Sequence, residues 1–554
     1  MEKTCNQCTA KFKVDENDLA FYDNISPTFG NKKIQIPPPT LCPKCRLQRR
    51  HARRNEYNLY PRSCDLCSKS IVTIYHPAAP FTVYCNNCWW SDKWEGADYG
   101  IDYDESIPFF DQFQNLQKKV PRMAIWNHAC ENSDYTNHSS NLKNCYLATC
   151  AIYSENIYHS RWVIRCKDLC DCYQMISSEL CYETSYTHGY KIINGYFADS
   201  RDCTFVYDCK SCSNCFMCWN LRHKEYCIEN KQYSKEEYEK IMAGINIGSY
   251  SQYQKYKKQY LEIVRTNVIK QGARLTMCEN SSGELLYKCK NVQDSYGCVE
   301  SRDCRHSHES EDLKDCYDTC ETASNCELQY ETSGCDHSNN VICSSRSSNV
   351  SGAFYTEGCS NGGNLFGCIG LNRKNHCILN KQYTKEGYQK LAAKIAQNMQ
   401  KNNEWGEFFP ISTSPFAYNE TTAHEDFQIT KKQAKQNGWQ WLEVDHKQYL
   451  LQTCTLPDDI KDTPDSITKE ILACPCGKNY KIVLPELEFY RKMNLPIPRK
   501  CPQCRRKDRK KLRPSLFTQT TIKCQKCARP TITGLNPDYP GITYCEKCYL
   551  KAVY

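Results

Sequence analysis

The sequence predicts a mainly β, multidomain fold in which tandem four-cysteine modules at the two termini flank a two-part, Cys-rich parallel β-solenoid, with short helices as connectors. Three observations carry this expectation. The chain has 554 residues, more than one hydrophobic core organises. Two separate internal duplications divide it. Cysteine accounts for 42 residues, sixteen of them in spaced pairs at the ends.

The first duplication relates the termini. Cys42 and Cys45 recur as Cys501 and Cys504 at an offset of 459, while Cys64, Cys67, Cys85 and Cys88 recur as Cys524, Cys527, Cys545 and Cys548 at 460. Flanking residues agree: FYDNISP…IPPPTLCPKCRLQRR in one copy reads FYRKMNLPIPRKCPQCRRKDR in the other. With Cys5 and Cys8 in front of the first copy and Cys474 and Cys476 in front of the second, residues 1–100 and 471–554 each carry two tetrads. The tetrads that start at Cys64 and Cys524 are both Cys-x2-Cys-x17-Cys-x2-Cys, a zinc-site spacing. Two knuckles supply two sulfurs each and close a tetrahedron at ~2.3 Å per Zn–S bond, with no position left for substrate. The expected cofactor is therefore structural Zn²⁺ at four zinc-ribbon sites, whose binding folds lobes too small to bury a sufficient core. A redox dithiol is the competing chemistry, and the duplication favours zinc. Cys474-Pro-Cys476 is one residue shorter than the other knuckles and predicts a strained or partly lost third site.

The second duplication lies in the middle at an offset of 150, CWNLRHKEYCIENKQYSKEEYEK (218–240) against CIGLNRKNHCILNKQYTKEGYQK (368–390). Each copy closes a Cys-rich half, 129–232 and 277–382. Within them an Asn/Asp-x-aromatic theme, with Leu first in one unit, recurs at gaps of 9 to 21 residues: NCY at 144, NIY at 156, DCY at 171, LCY at 180, NGY at 194, NCF at 214, DSY at 294 and DCY at 315. That spacing is too short for helical repeats and fits short β segments broken by turns, stacked as solenoid rungs. Period-two alternation would then place Cys on an inner ladder and Tyr on an outer one. Residues 105–120 read as an amphipathic helix ended by Pro121, inside a linker at 101–128. In the spacer at 233–276, Ser234 and Glu237 form a capping box, and 246–270 continues as a polar helix. The corresponding Thr384 faces Gly387, a weaker cap, and the connector 383–470 holds a Thr430/Gln433 box with a stop at Gly438.

Charge is unevenly distributed. Residues 1–100 carry 14 basic against 10 acidic side chains, 101–470 carry 40 against 48, and 471–554 carry 18 against 5. Each four-thiolate zinc site adds −2, which leaves the N-terminal module near neutral and the C-terminal one near +9. After the inner knuckle of each pair comes a basic run: Arg46, Arg49, Arg50, Arg53 and Arg54, then Arg505, Arg506, Lys507, Arg509, Lys510, Lys511 and Arg513. Such runs suit phosphate contact, and the bland alternative is a solvated helix that offsets its own thiolates. The alternatives balance for the first run, and nucleic acid is favoured for the second. Trp89, Trp90 and Trp94 are expected to pack their module against the 105–120 helix rather than to stack on bases.

No nucleophile elbow, Walker loop, dinucleotide fingerprint or HExxH helix is present, so no catalytic residue is assigned. Cys209, Cys212, Cys215 and Cys218 have the spacing of an iron–sulfur loop, but at the 150 offset two of them face Gly362 and Leu365, and packed thiols explain that loss better. His306 and His308 read as an exposed turn rather than a metal pair. No apolar run approaches ~20 residues and the first residues lack a secretion signal, which together predict a cytoplasmic protein with no membrane partner.

CNQC…PPPTLCPKCRLQRR, CNNCWWSDKW…DYG…PFFDQF, the NCY units, CIENKQYSKEEY, EWGEFFP…SPFAYNET and CPQCRR…YCEKCY together resemble the large zinc-ribbon, Cys-rich repeat proteins of reduced-genome bacteria. The resemblance covers essentially the whole chain and implies the same domain layout; it implies no activity. The sequence thus leads to a non-enzymatic zinc-binding scaffold that binds RNA or DNA through its basic C-terminal module. A protein-assembly platform on the solenoid face is the first alternative, and an Fe–S/redox or β-helix carbohydrate-acting enzyme the second.

Overall fold

The structure, a computed structural model, describes residues 1–289, 295–297, 317, 319, 327–336, 338–443, 449–515 and 519–554. The chain divides into two compact units, each built from two stretches: Met1–Ile125 with Arg274–Glu443, and Trp126–Ala273 with Val444–Tyr554. Each unit therefore joins one terminal cysteine module to one Cys-rich half of the middle. The N-terminal module belongs with the second half, and the C-terminal module with the first.

The architecture is mainly β, and parallel pairing dominates the middle. In the first half the partners are twelve residues apart: Thr149 pairs with Arg161, Glu155 with Lys167, and Arg161 with Tyr173. Strands Thr149–Tyr158 and Gly189–Tyr196 each serve two sides, so the pairing path through seven strands returns to its start as a parallel, barrel-like sheet. The second half repeats the twelve-residue register, Glu327 with Asn339 and Ser348 with Ser360.

The internal period of these strands is three, not the two expected. From His138 to Tyr186 every third residue has positive φ, and the pattern resumes from Asp202 to Glu229. In the second half it runs from Asn340 to Leu379, with glycine at 352, 358, 367 and 370. Four triplets make one twelve-residue repeat. Each triplet places a left-handed residue first, a residue pointing into the narrow interior second, and an outward residue third. That is the Asn/Asp-x-aromatic theme: Asn144, Asn156, Asp171 and Asn214 take the left-handed position, which short amide and carboxylate side chains tolerate better than other residues. Cys145, Ile157, Cys172 and Cys215 follow and are buried in one cluster with Val163, Leu169, Met175 and Cys181. Within these units the inner and outer separation of Cys and Tyr holds through triplets rather than alternation, whereas Cys170 takes a third position and Cys343, Tyr153 and Tyr355 take left-handed ones.

Inward cysteines and serines also satisfy their own strand. Cys145 Sγ donates to the Lys143 carbonyl at 3.3 Å, Cys172 to Cys170 at 3.4 Å, and Ser160 Oγ to Tyr158 at 2.8 Å, always two residues back. The third-position tyrosines are mostly covered: Tyr182 packs edge-on against Tyr490 at 5.8 Å, and Tyr158 and Tyr173 are buried.

The helices follow the sequence signals. Ser234 caps Lys235–Ala243 with its box to Glu237 complete, whereas Thr384 caps Lys385–Lys401 through a single bond from the Gly387 N–H. Thr430 and Gln433 box the start of Lys431–Gln436, and Gly438 ends it at φ +70°. The helix Phe109–Lys119 buries Phe109, Phe110, Phe113 and Leu116 in the core of the first unit, where Trp94 also packs. Trp89 is buried against Trp94, with ring centroids 4.7 Å apart, while Trp90 is exposed. Among the described residues no helix is long and apolar enough to cross a membrane. His306, His308 and most of the expected DCY unit at 315 lie outside the described residues.

The triplet rule is open to direct test at Tyr153, an exposed residue held at φ 50°. Replacing it with Asn should stabilise the chain by up to about 1 kcal/mol, and replacing it with β-branched Val should destabilise it by about 1–2 kcal/mol. Urea unfolding measures both, and the opposite order would refute the assignment.

Candidate metal centres and their basic helices

All sixteen cysteines expected as ligands are brought together in the expected sets: Cys5, Cys8, Cys42, Cys45; Cys64, Cys67, Cys85, Cys88; Cys474, Cys476, Cys501, Cys504; and Cys524, Cys527, Cys545, Cys548. Within each set the sulfurs all lie within 4.8 Å of one another. A regular tetrahedron with ~2.3 Å metal–sulfur bonds has edges of about 3.8 Å. The Cys8–Cys42, Cys67–Cys85, Cys476–Cys501 and Cys527–Cys545 sulfur pairs are 3.6, 3.8, 3.8 and 3.7 Å apart, so the residues fit a four-sulfur metal ion at every set.

Local backbone explains why the sets close. In the first knuckle of each, the residue after the second cysteine has positive φ: Thr9, Ser68, Gly477 and Ala528. Its N–H returns to the first cysteine, four residues back from Thr9, Ser68 and Ala528 but only three back from Gly477. Glycine adopts φ +87° without a Cβ penalty, so the short Cys474-Pro-Cys476 knuckle turns more tightly and still presents both sulfurs. The expected strained or incomplete third site is corrected on this point, since its four sulfurs converge as in the other sets. In the second knuckle, Cys42, Cys85, Cys501 and Cys545 each sit at a helix N-cap, where the helix dipole favours a thiolate. Burial pushes the Cys64 and Cys524 thiols up, but backbone N–H groups directed at their sulfurs outweigh it and hold them at about 7 and about 6.

Cys209, Cys212, Cys215 and Cys218 occupy four successive inward triplet positions rather than one site. Their sulfurs donate to the carbonyls of Tyr207, Lys210, Ser213 and Phe216. Among the described residues, the terminal tetrads are the sets close enough for a metal ion.

The basic runs lie on the helices Pro43–His51 and Pro502–Lys510 and just beyond them. Arg46, Arg49, Arg50, Arg53 and Arg54 are all buried, so the solvent exposure that phosphate contact needs is absent at all five. Arg49 reaches Glu331 and Glu407, each at 2.7 Å. Arg53 and Arg122 share Glu357 at 3.0 and 2.8 Å, with the Gln117 amide donating to the same carboxylate at 2.7 Å. Arg54 pairs with Glu56 at 3.0 Å. Burial alone would raise the Glu407 carboxyl, yet Arg49 and the Thr40 hydroxyl hold it below its ordinary range.

The second unit repeats the device. At the 459 offset Arg46 and Arg50 correspond to Arg505 and Arg509. Both are buried, and both reach the Asp171 carboxylate at 2.8 Å. Arg505 also donates to the Tyr490 hydroxyl at 2.8 Å and approaches Glu486 at 3.5 Å. Against the effect of burial, His159 and Arg505 bring the Glu486 carboxyl down to about 2. Arg513 lies over the Tyr173 ring, 3.6 Å from its centroid. Arg506 and Lys510 are half-buried, whereas Lys507 and Lys511 are exposed.

Sequence reasoning missed the acidic partners Asp171, Glu331, Glu357 and Glu407, which lie far along the chain from their arginines, and Glu486, 19 residues before Arg505. A usable signal was present in the i, i+3, i+4, i+7 spacing of Arg46, Arg49, Arg50 and Arg53, a stripe on one helix face that points to one shared surface.

No family model and no curated protein matches this sequence. Among solved structures, a putative acetyltransferase from Desulfovibrio desulfuricans is returned at 10% identity over 47% of this chain and 70% of that chain, with a TM-score of 0.09, too low to carry any argument.

Asp171→Asn should destabilise the second unit by about 3–5 kcal/mol, because it leaves Arg505 and Arg509 buried without their shared charge. Chemical denaturation is the measurement; a loss below about 1 kcal/mol, the size seen at an exposed pair, would show that Asp171 does not seat the helix.

Proposed function

We propose that the chain is a non-enzymatic scaffold held by four structural zinc ions, that its two parallel halves are β-solenoid parts, and that its C-terminal module binds RNA or DNA phosphates. The sulfur spacing supports the metal, and the closed four-sulfur sets leave no position for substrate. Zinc suits such sets because it takes tetrahedral thiolate coordination without redox chemistry. The twelve-residue parallel register supports the solenoid, since each repeat lies directly on the one before it.

One observation carries the nucleic-acid part. After Arg505 and Arg509 are committed to Asp171, the C-terminal module still presents Lys507, Lys523, Lys526, Arg529, Lys547 and Lys551 as exposed cations. The N-terminal arginine run is committed to internal carboxylates or buried, so the contact surface is assigned to the C-terminal module alone. Contact through such lysines is electrostatic and carries no base readout. The assembly-platform reading weakens, because most third-position tyrosines that would have met a partner are already covered.

Protein purified under reducing conditions should contain about four zinc ions per chain by elemental analysis, and a strong chelator should unfold the terminal modules. One ion or fewer, or iron in place of zinc, would overturn the metal assignment. Changing Lys523, Lys526, Arg529, Lys547 and Lys551 to Glu should abolish salt-sensitive retention of single-stranded RNA or DNA while zinc content stays unchanged; retention equal to that of the parent chain would refute the surface.

A further inference from the structure

The second unit contains a cleft of about 280 Å³ that the scaffold reading does not use. Three elements wall it: the helix Tyr250–Thr266, the segment Pro496–Lys500 before the third tetrad's second knuckle, and the basic helix Pro502–Lys510 with the turn beyond it. Its floor comes from the parallel ladder. There the Tyr253 hydroxyl donates to Glu183 at 2.9 Å, the Asn194 amide donates to the Tyr253 oxygen, and Lys257 pairs with Glu183. Although burial pushes the Glu183 carboxyl up, Lys257 and Arg509 outweigh it and keep the group ionised. The floor is thus polar, internally bonded and fixed.

The charge around it is unbalanced. Seven Lys or Arg side chains line the cleft against two carboxylates. Arg505 and Arg509 are committed to Asp171, and Lys257 to Glu183. Lys258, Arg499, Lys500 and Lys511 remain, and Asp508 serves two of them, bonding Lys500 at 2.7 Å and Lys511 at 3.3 Å. Arg499 has a long contact of 3.9 Å to Asp458. The mouth therefore keeps an excess of two to three positive charges by this count. Tyrosine supplies five further lining residues, of which Tyr182, Tyr196 and Tyr253 are buried and Tyr250 and Tyr539 half-buried, and Arg499 stacks over the Tyr250 ring 4.0 Å from its centroid. Flat aromatic surface beside clustered cations is the combination that holds a nucleobase and its phosphates.

We propose that this cleft binds one nucleoside phosphate, with the base against Tyr250 and Tyr539 and two or three phosphate charges at Lys258, Arg499, Lys500 and Lys511. Its volume lies just under that of small-molecule sites, which run from about 300 Å³ upward, and so limits the occupant to about one nucleotide. That nucleotide is either free or the terminal unit of a strand; the second form rests on the nucleic-acid reading above, and the first does not.

The test uses the full zinc-loaded chain with a fluorescent ADP derivative and a labelled ten-nucleotide oligouridylate. Saturable binding of the ADP probe is expected, displaced by unlabelled ADP but not by equimolar inorganic phosphate. Lys258→Glu with Lys511→Glu should weaken it at least tenfold; both side chains are exposed, so folding and zinc content serve as controls. Displacement of the ADP probe by the oligonucleotide supports the strand-borne ligand, and oligonucleotide binding without displacement supports the free one. Absence of saturable ADP-probe binding up to millimolar concentration, or undiminished binding by the double variant, overturns the cleft. If the oligonucleotide is not retained at all, the C-terminal surface fails while the ADP titration still decides this site.

Discussion

Each terminal cysteine module is seated on a parallel β ladder by arginines whose carboxylate partners are buried with them. In the first unit Glu331 and Glu357 take Arg49, Arg53 and Arg122, with Glu407 of the connector also meeting Arg49; in the second Asp171 takes Arg505 and Arg509. A buried guanidinium is tolerable only where an opposite charge and good geometry offset its lost hydration. The tetrads and the ladders are therefore not independent. A knuckle fixes the start of the basic helix, the helix fixes the positions of its arginines, and the arginines select the one ladder whose acids match them.

This coupling bears on function. Basic segments beside cysteine clusters invite a phosphate-binding reading, and five of the residues most suggestive of it are consumed inside the first unit. What remains for solution is a lysine-rich surface on the C-terminal module, together with a tyrosine-walled cleft that the basic helix helps to build. The same helix thus presents two faces, one sealed against acids and one facing solvent or cleft.

The tetrads were legible because metal spacing is a local property and the duplication repeated it. The capping boxes at Ser234 and Thr430 were legible for the same reason. The triplet period is on view in Cys209, Cys212, Cys215 and Cys218, yet the Asn-x-Tyr theme reads as alternating strands, because a left-handed residue at every third position is a rarely used way of turning a chain. The Arg505–Asp171 pair lay beyond sequence reasoning: its members are more than 300 residues apart, and nothing local to either marks the other.

A ladder whose members stack twelve residues apart in triplets behaves like text read in a fixed frame. Between Glu179 and Thr204 the register shortens, Glu179 pairing with Tyr190 and Ile193 with Thr204, and the run of left-handed residues is interrupted there. Gly189 and Gly195 fall in this stretch, and a Cβ at either would come within 2.4 Å of Ile192. Two residues are missing here, one between Tyr186 and Lys191 and one between Phe197 and Asp202, where left-handed positions stand five apart instead of six. Elsewhere a single deletion would rotate every later inward position outward, so lengthening or shortening of these halves should proceed by whole twelve-residue units.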